Sequence, residues 1–375
     1  MSDQPVIFEE VSAANGRRVG FARLNAEKAL NALNPAMIAA LRPQLERWAD
    51  DPGIACVVLH GAGEKAFCAG GDVVATYHAI QEAEGGRSTF CEQFFEQEYR
   101  LDYRIHTYPK PLLVWGHGIV MGGGLGMMVG GSHRVVTEAS RIAMPEITIG
   151  LYPDVAGTWF LNRMPGRVGL FLGLTGARMN PADALYTSLA DYFITAEHRD
   201  AIFAALADVA WDDDPELNRG HLSLLLRRFA DGCRGERPNS NVLEHIDFID
   251  HVTDRHSVAG ILEAMRESSP EDKWLATATR NLELGSPTSA RVIFEQFRRG
   301  RHLSLKQVFR RELAMSVQCT RRHDFPEGVR ALLVDKDQNP RWNPATLAEV
   351  EDSLVDAHFE APEGLDPSPL DDLPE

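Results

Sequence analysis

Long apolar runs are missing from this 375-residue chain. No stretch reaches the ~18 residues that would cross a bilayer, which argues against a membrane partner. The opening Met-Ser-Asp-Gln-Pro has neither the basic nor the apolar region of a secretory leader. Cysteine is scarce too: five residues (Cys56, Cys68, Cys91, Cys233 and Cys319), with no CxxC pair and no Cys/His cluster. That excludes a structural zinc and a disulfide framework, and implies a reduced, cytoplasmic protein without a metal site. Positive charge is also short, with 38 Lys and Arg against 54 Asp and Glu. No basic stripe with interleaved aromatics is present, so nucleic acid is not expected as a partner. Residues 349–375 hold ten acids and no Lys or Arg, so the rest of the chain carries only −6 of the net −16. Such a balance still permits an anionic small ligand, because helix N-termini and a few cations can hold phosphate.

What is present is enough chain for one large domain with an appendage, or for two domains. Residues 6–11 and 19–24 read as strands joined at the turn pair Asn15-Gly16. Asn34-Pro35 reads as an N-cap followed by proline at the first helical position, opening a helix to about Asp50. Residues 54–60 and 112–115 are apolar runs of buried-strand length, with 134–137 and 142–144 as shorter strands. Residues 61–72 read as a loop, 89–106 as a helix, and another helix opens within 122–126. This alternation implies an α/β architecture over residues 1–200. Beyond about residue 200 strand signals fade, and 201–375 reads as mainly helical. Its last stretch, Ala361–Glu375, is rich in proline and acids and is expected to fray. No internal repeat is visible.

Three stretches carry chemistry. Lys65-Ala-Phe-Cys-Ala-Gly-Gly-Asp72 follows a buried strand and exposes backbone amides. It also fits a plain strand-to-helix turn capped by Asp72. Gly116-His-Gly-Ile-Val-Met-Gly-Gly-Gly-Leu-Gly126 lets a backbone approach a ligand and opens a helix whose amides favour an anion. It approaches a dinucleotide fingerprint, but Met121 takes the third-glycine position and Glu138 is a poor ribose-binding acid. The third is Met144-Pro-Glu-Ile-Thr-Ile-Gly-Leu-Tyr-Pro-Asp154. Glu146 and Asp154 lie in an apolar run, where burying a carboxylate is costly unless it is bonded or working. A helix cap or buried ion pair is the structural alternative for either acid.

Residues 66–72, Met121-Gly-Gly-Gly124 and 144–150, in this order and spacing, resemble the crotonase (enoyl-CoA hydratase/isomerase) superfamily. Asn25-Ala-Glu-Lys-Ala-Leu-Asn-Ala-Leu33 is similar to the segment that contacts coenzyme A in that superfamily. The resemblance implies a crotonase-like ββα superhelix core and an acyl-CoA substrate. Coenzyme A would then be part of the substrate, with no separate cofactor. Phe95-Glu-Gln-Glu-Tyr99, 151–157, Leu174-Thr-Gly176, Ser286-Pro-Thr-Ser289, 323–331 and 335–342 are similar to a branch that hydrolyses short hydroxyacyl-CoA thioesters. The implied substrate is 3-hydroxyisobutyryl-CoA of valine breakdown.

That resemblance assigns roles. The amides of Gly71 and Gly123 would form an oxyanion hole, where each donor can be worth roughly 10²–10³ in rate. Lys28, Ala29 and Leu30 would hold coenzyme A. Ala69, Gly70, Asp72, Gly122 and Glu98 would contact substrate, although Glu98 also fits a solvated helix acid. Glu146 would attack the thioester or activate a water, and Asp154 would orient the substrate and assist proton transfer. Hydratases of the superfamily carry one glutamate just after the triple glycine and a second at the position of Glu146. Here the first position is Gly126, and Asp154 stands where they commonly have glycine. This argues for thioester cleavage over hydration. The other readings are an isomerase-type reaction and a non-catalytic coenzyme A-binding protein. A homo-oligomer fits the family habit. His60, His117 and His133 are read as structural.

Overall fold

A computed structural model describes residues 4–83, 86–268 and 271–374. Met1–Asp3, on which part of the leader argument rests, lie outside the described residues. The chain divides into two compact units: residues 1–71, 101–142 and 179–244 form one, and residues 72–100, 143–178 and 245–375 form the other.

The first unit is built on a six-stranded sheet. Its strands are β1 (Val6–Ser12), β2 (Arg18–Leu24), β3 (Ile54–Gly61), β5 (Leu112–Gly116), β7 (His133–Val136) and β9 (Tyr192–Phe193), lying in that order. β1 and β2 form the expected antiparallel hairpin, and every later neighbour is parallel. Parallel pairing requires a crossover, which helix α1 (Pro35–Asp50) supplies between β2 and β3. Asn34 caps α1 by accepting the amide of Met37 at 2.9 Å, with Pro35 in the first turn. Met37, Ile38, Leu41, Leu45 and Trp48 are the buried face of α1. β3 is central and buried on both faces, which is why its sequence is continuously apolar. One face of the sheet is closed by the helix Pro215–Cys233, whose Leu222, Leu226 and Cys233 join Val58, Trp115 and Phe193 in one core.

A second, three-stranded sheet orders β4 (Ala66–Cys68), β6 (Ile119–Met121) and β8 (Arg141–Ala143). The expected loop over 61–72 therefore contains a strand. Helix α4 (Gly123–Gly130) opens directly after β6. A Cβ on Gly124 would lie 2.2 Å from the Cys68 carbonyl oxygen, so only glycine lets α4 pack this close to β4.

The second unit is mainly helical. It includes helix α2 (Val73–Glu82), capped by Asp72, and most of helix α3 (Thr89–His106). Its later helices include Pro287–Gly300 and Leu305–Thr320. As far as Pro374 the acidic end does not fray; Glu375 lies outside the described residues. Leu365, Leu370 and Leu373 are buried, and Asp371 and Asp372 pair with Arg310 and Arg100. Three leucines hold down a tail whose proline and charge content suggested disorder. Among the described residues no helix is long and apolar enough to cross a membrane.

Candidate active site

Glu146 opens a single 3-10 turn, Glu146–Ile149, at the point where Pro145 ends the preceding extended segment. Gly150 closes the turn at φ 73°, a left-handed conformation. A Cβ there would lie 2.2 Å from the Asp324 carbonyl oxygen. Glycine is required at that position on both counts. The turn leaves Glu146 only 4% exposed, and among the described residues its Oε2 has no hydrogen-bond partner. Burial first, then the negative charges of Asp154 and Glu98, push its carboxyl well above the ordinary value. The result is a carboxyl with one bare oxygen and an affinity for protons suited to acid–base work.

Asp154 is equally buried, and its pKa is raised to about 6 by burial, against a lowering hydrogen bond from Tyr99. The Tyr99 hydroxyl donates to Asp154 Oδ2 at 2.7 Å and lies 2.6 Å from Ser316 Oγ. The Tyr152 hydroxyl, 2.8 Å from Ser316 Oγ, donates to the Glu312 carbonyl oxygen at 2.7 Å. Glu98, on α3 beside Tyr99, is buried and pushed upward by burial and by the Asp154 charge. It is a buried acid facing other acids, which removes the reading of a solvated helix side chain.

The chain after Asp154 is held in an unusual form. Val155 (φ 50°) and Ala156 (φ 70°) are both left-handed without being glycine. Each such residue costs on the order of 1–3 kcal/mol and persists only where its surroundings enforce it. Glu312 supplies part of that enforcement by accepting the amide of Ala156 on Oε2 at 2.8 Å and that of Thr158 on Oε1 at 2.9 Å. Gln296 adds to it, donating to the Pro153 carbonyl and to Thr158 Oγ1, both at 2.6 Å. Neither Glu312 nor Gln296 was apparent in the sequence. A weak signal existed for Glu312: it interrupts the buried stripe Val308, Phe309, Leu313, Met315 of its helix.

In the first unit, the segments expected to bind coenzyme A and the thioester oxygen lie side by side. Leu30 has left-handed φ and accepts the amide of Ala69 at 3.1 Å, and the Leu33 amide donates to the Gly70 carbonyl at 2.8 Å. Asn31, fully buried, ties this stretch to the carbonyls of Ala62 and Ala66. Lys28 and Ala29 are exposed. Gly71 follows β4 and Gly123 follows β6, and these strands are parallel neighbours, so the two segments leave the sheet at the same end. Gly122 is the N-cap residue of α4 and Gly123 its first helical residue, whose amide has no partner within the helix. Gly126 lies inside α4 and offers no acid. His117 and His133 bond to backbone carbonyls and His60 packs on Phe203, all structural uses. Among the described residues no group of three or more His, Cys, Asp or Glu is placed to hold a metal.

Residues 19–359 match the enoyl-CoA hydratase/isomerase family, and the chain belongs to it. Within that family, it is 39% identical to the mitochondrial 3-hydroxyisobutyryl-CoA hydrolase of Danio rerio, over 94% of this chain and 89% of the relative. It is 36% identical to the mitochondrial 3-hydroxyisobutyryl-CoA hydrolase of Homo sapiens, over 96% of this chain and 91% of the relative. Among solved structures it resembles a carnitinyl-CoA dehydratase from Mycobacterium thermoresistibile, with 35% identity and a TM-score of 0.84 over 96% and 98% of the two chains. An enoyl-CoA hydratase from Rhodobacter sphaeroides gives 32% identity and a TM-score of 0.81, again over 96% and 98%. The expected crotonase-like α/β core with a helical C-terminal region is therefore the fold. The expected cytoplasmic location is overturned: both curated relatives are mitochondrial by name. Cysteine usage reports a reducing environment and does not identify the compartment.

Proposed function

We propose that this chain is a thioester hydrolase that cleaves 3-hydroxyisobutyryl-CoA to 3-hydroxyisobutyrate and coenzyme A, a step of valine breakdown. The observation that carries the reading is the pair Glu146 and Asp154, both buried and both raised in pKa, in a chain whose α4 offers only Gly126 as the other acid position. The substrate follows from the curated relatives' names. In this reading Lys28–Leu30 and Ala69–Asp72 receive coenzyme A, and the amides of Gly71 and Gly123 receive the thioester oxygen as it gains charge. Glu146 delivers the attack on the carbonyl carbon, itself or through a water that it deprotonates. The carbon–sulfur bond then breaks and coenzyme A leaves as the thiol; where Glu146 itself attacks, a water then hydrolyses the acyl–Glu146 anhydride, releasing the acid and restoring the carboxylate. Asp154, with Glu98 nearby, orients the substrate hydroxyl and handles the proton. A raised carboxyl pKa makes Glu146 a stronger base than a solvent-exposed glutamate.

Both solved relatives are named for adding or removing water, which favours hydration of an enoyl-CoA as the second reading. One assay separates the two. Free thiol is measured with 3-hydroxyisobutyryl-CoA, 3-hydroxypropionyl-CoA and crotonyl-CoA, using Glu146→Gln and Asp154→Asn as controls. The hydrolase reading expects thiol from the first two substrates and large losses in both variants. Hydration of crotonyl-CoA, with no thiol released from either hydroxyacyl-CoA, would overturn it.

A further inference from the structure

We infer that Glu312, together with Ser316 one turn later on the same helix, is a positioning residue for Asp154; this rests on the hydrolase reading above. The helix Leu305–Thr320 grips Asp154 from two directions. Through Glu312 it holds the backbone: the two carboxylate oxygens take the amides of Ala156 and Thr158, which flank Gly157 just beyond Asp154. Through Ser316 it holds the side chain, because Ser316 Oγ contacts the Tyr99 hydroxyl, which donates to Asp154 Oδ2.

Glu312 is fully buried, and it bonds to a strained turn. Left-handed Val155 is unfavourable for a β-branched residue and does not persist by its own preference. Two amides pointing into one carboxylate over-determine that turn. Ordinary loops do not need a fully buried acid to stay folded, since backbone carbonyls and water satisfy such amides more cheaply. The arrangement makes sense if the direction of the Asp154 carboxyl matters. Glu312 touches no part of the substrate in this account, and it acts through Asp154.

The chemistry of the substitution is specific. Glutamine has nearly the same shape as glutamate, but it offers one accepting oxygen and one NH₂ donor. In Glu312→Gln one of the two amides therefore faces a donor, and the turn relaxes toward ordinary backbone angles. Displacing a reacting group by about 1 Å can cost on the order of 10²-fold in rate.

The test is a double-mutant cycle with 3-hydroxyisobutyryl-CoA, read as kcat and KM of thiol release by wild type, Glu312→Gln, Asp154→Asn and the double variant. Expected are a kcat loss of roughly 10–100-fold in Glu312→Gln, KM within about threefold of wild type, and a further loss below about threefold when the change is made in Asp154→Asn. A residue that only supports the fold would cost the same factor in both backgrounds, and that result overturns the inference. So does wild-type kcat in Glu312→Gln. Where Glu312→Gln does not fold, Ser316→Ala takes its place in the cycle, with the same coupling to Asp154 expected and equal losses in both backgrounds overturning it. Failure of the hydrolase reading looks different: wild type would release no thiol, or Asp154→Asn would be as active as wild type.

Discussion

The Tyr99 hydroxyl donates to Asp154 Oδ2 at 2.7 Å, although 55 residues separate the two in sequence. The bond opposes the burial that raises Asp154, and the balance leaves its pKa at about 6. Tyr99→Phe removes the opposing interaction and leaves the burial. The inflection that Asp154 sets in the pH–rate profile of thiol release is therefore expected to move to higher pH. An inflection at the wild-type position would show that Asp154 is not the group being titrated.

Glu146 is raised above its ordinary value of 4.5, so the folded protein holds its proton more tightly than the unfolded chain does. Its contribution to stability is fully present below about pH 4.5 and is lost as pH rises through the folded pKa. Glu146→Gln removes that loss. Its melting temperature, relative to wild type, should be more favourable at pH 8 than at pH 4.5, even as thiol release falls by at least about 10²-fold. Equal differences at the two pH values would contradict the burial assigned to this carboxyl.

Gly150→Ala tests the turn that presents Glu146. The new Cβ would meet the Asp324 carbonyl oxygen, and φ is 73°. Both effects destabilise, and a combined cost of more than about 2 kcal/mol is expected in denaturant unfolding. Activity should fall further than stability explains when it is assayed at a temperature where the variant is folded.

Leu370→Ala tests how the acidic tail is held. Leu370 is fully buried, so truncation should cost about 2–4 kcal/mol. Asp372 is largely exposed, and its pairing with Arg100 is of the kind that contributes less than about 1 kcal/mol. Asp372→Asn should therefore be nearly silent by the same measurement. The reverse ranking would mean that charge secures the tail.

Much of the fold was readable from local pattern. The β1–β2 hairpin, the Asn34 cap and the buried strand β3 follow from turn chemistry, capping and apolar runs confined to a few neighbouring residues. β4, β6 and β9 were not readable: two or three residues long, they carry no periodicity and exist only through their partners, whereas the equally short β8 showed only as the apolar run 142–144. Of the site, Glu146 and Asp154 stood out as acids in apolar sequence, and the glycines as backbone without side chains. Tyr99, Gln296, Glu312 and Ser316 did not, since each is defined by what it touches more than 50 residues away. The tail misled because composition counts acids and prolines, whereas three spaced leucines decide where it goes.

The row of hydroxyls beside Asp154 can be counted in protons. Tyr99, Ser316 and Tyr152 own three, yet the row makes four contacts: Asp154 to Tyr99, Tyr99 to Ser316, Ser316 to Tyr152, and Tyr152 to the Glu312 carbonyl. While Asp154 is ionised, both tyrosines spend their protons on the ends of the row. Ser316 can then serve only one of its two neighbours. When Asp154 takes up a proton it donates to Tyr99, and every link can turn to point the same way, ending on the carbonyl. Each change of charge on the acid thus resets the Tyr99 and Ser316 links while Tyr152 goes on donating to the carbonyl, so that Ser316 registers the ionisation of a carboxyl it does not bond.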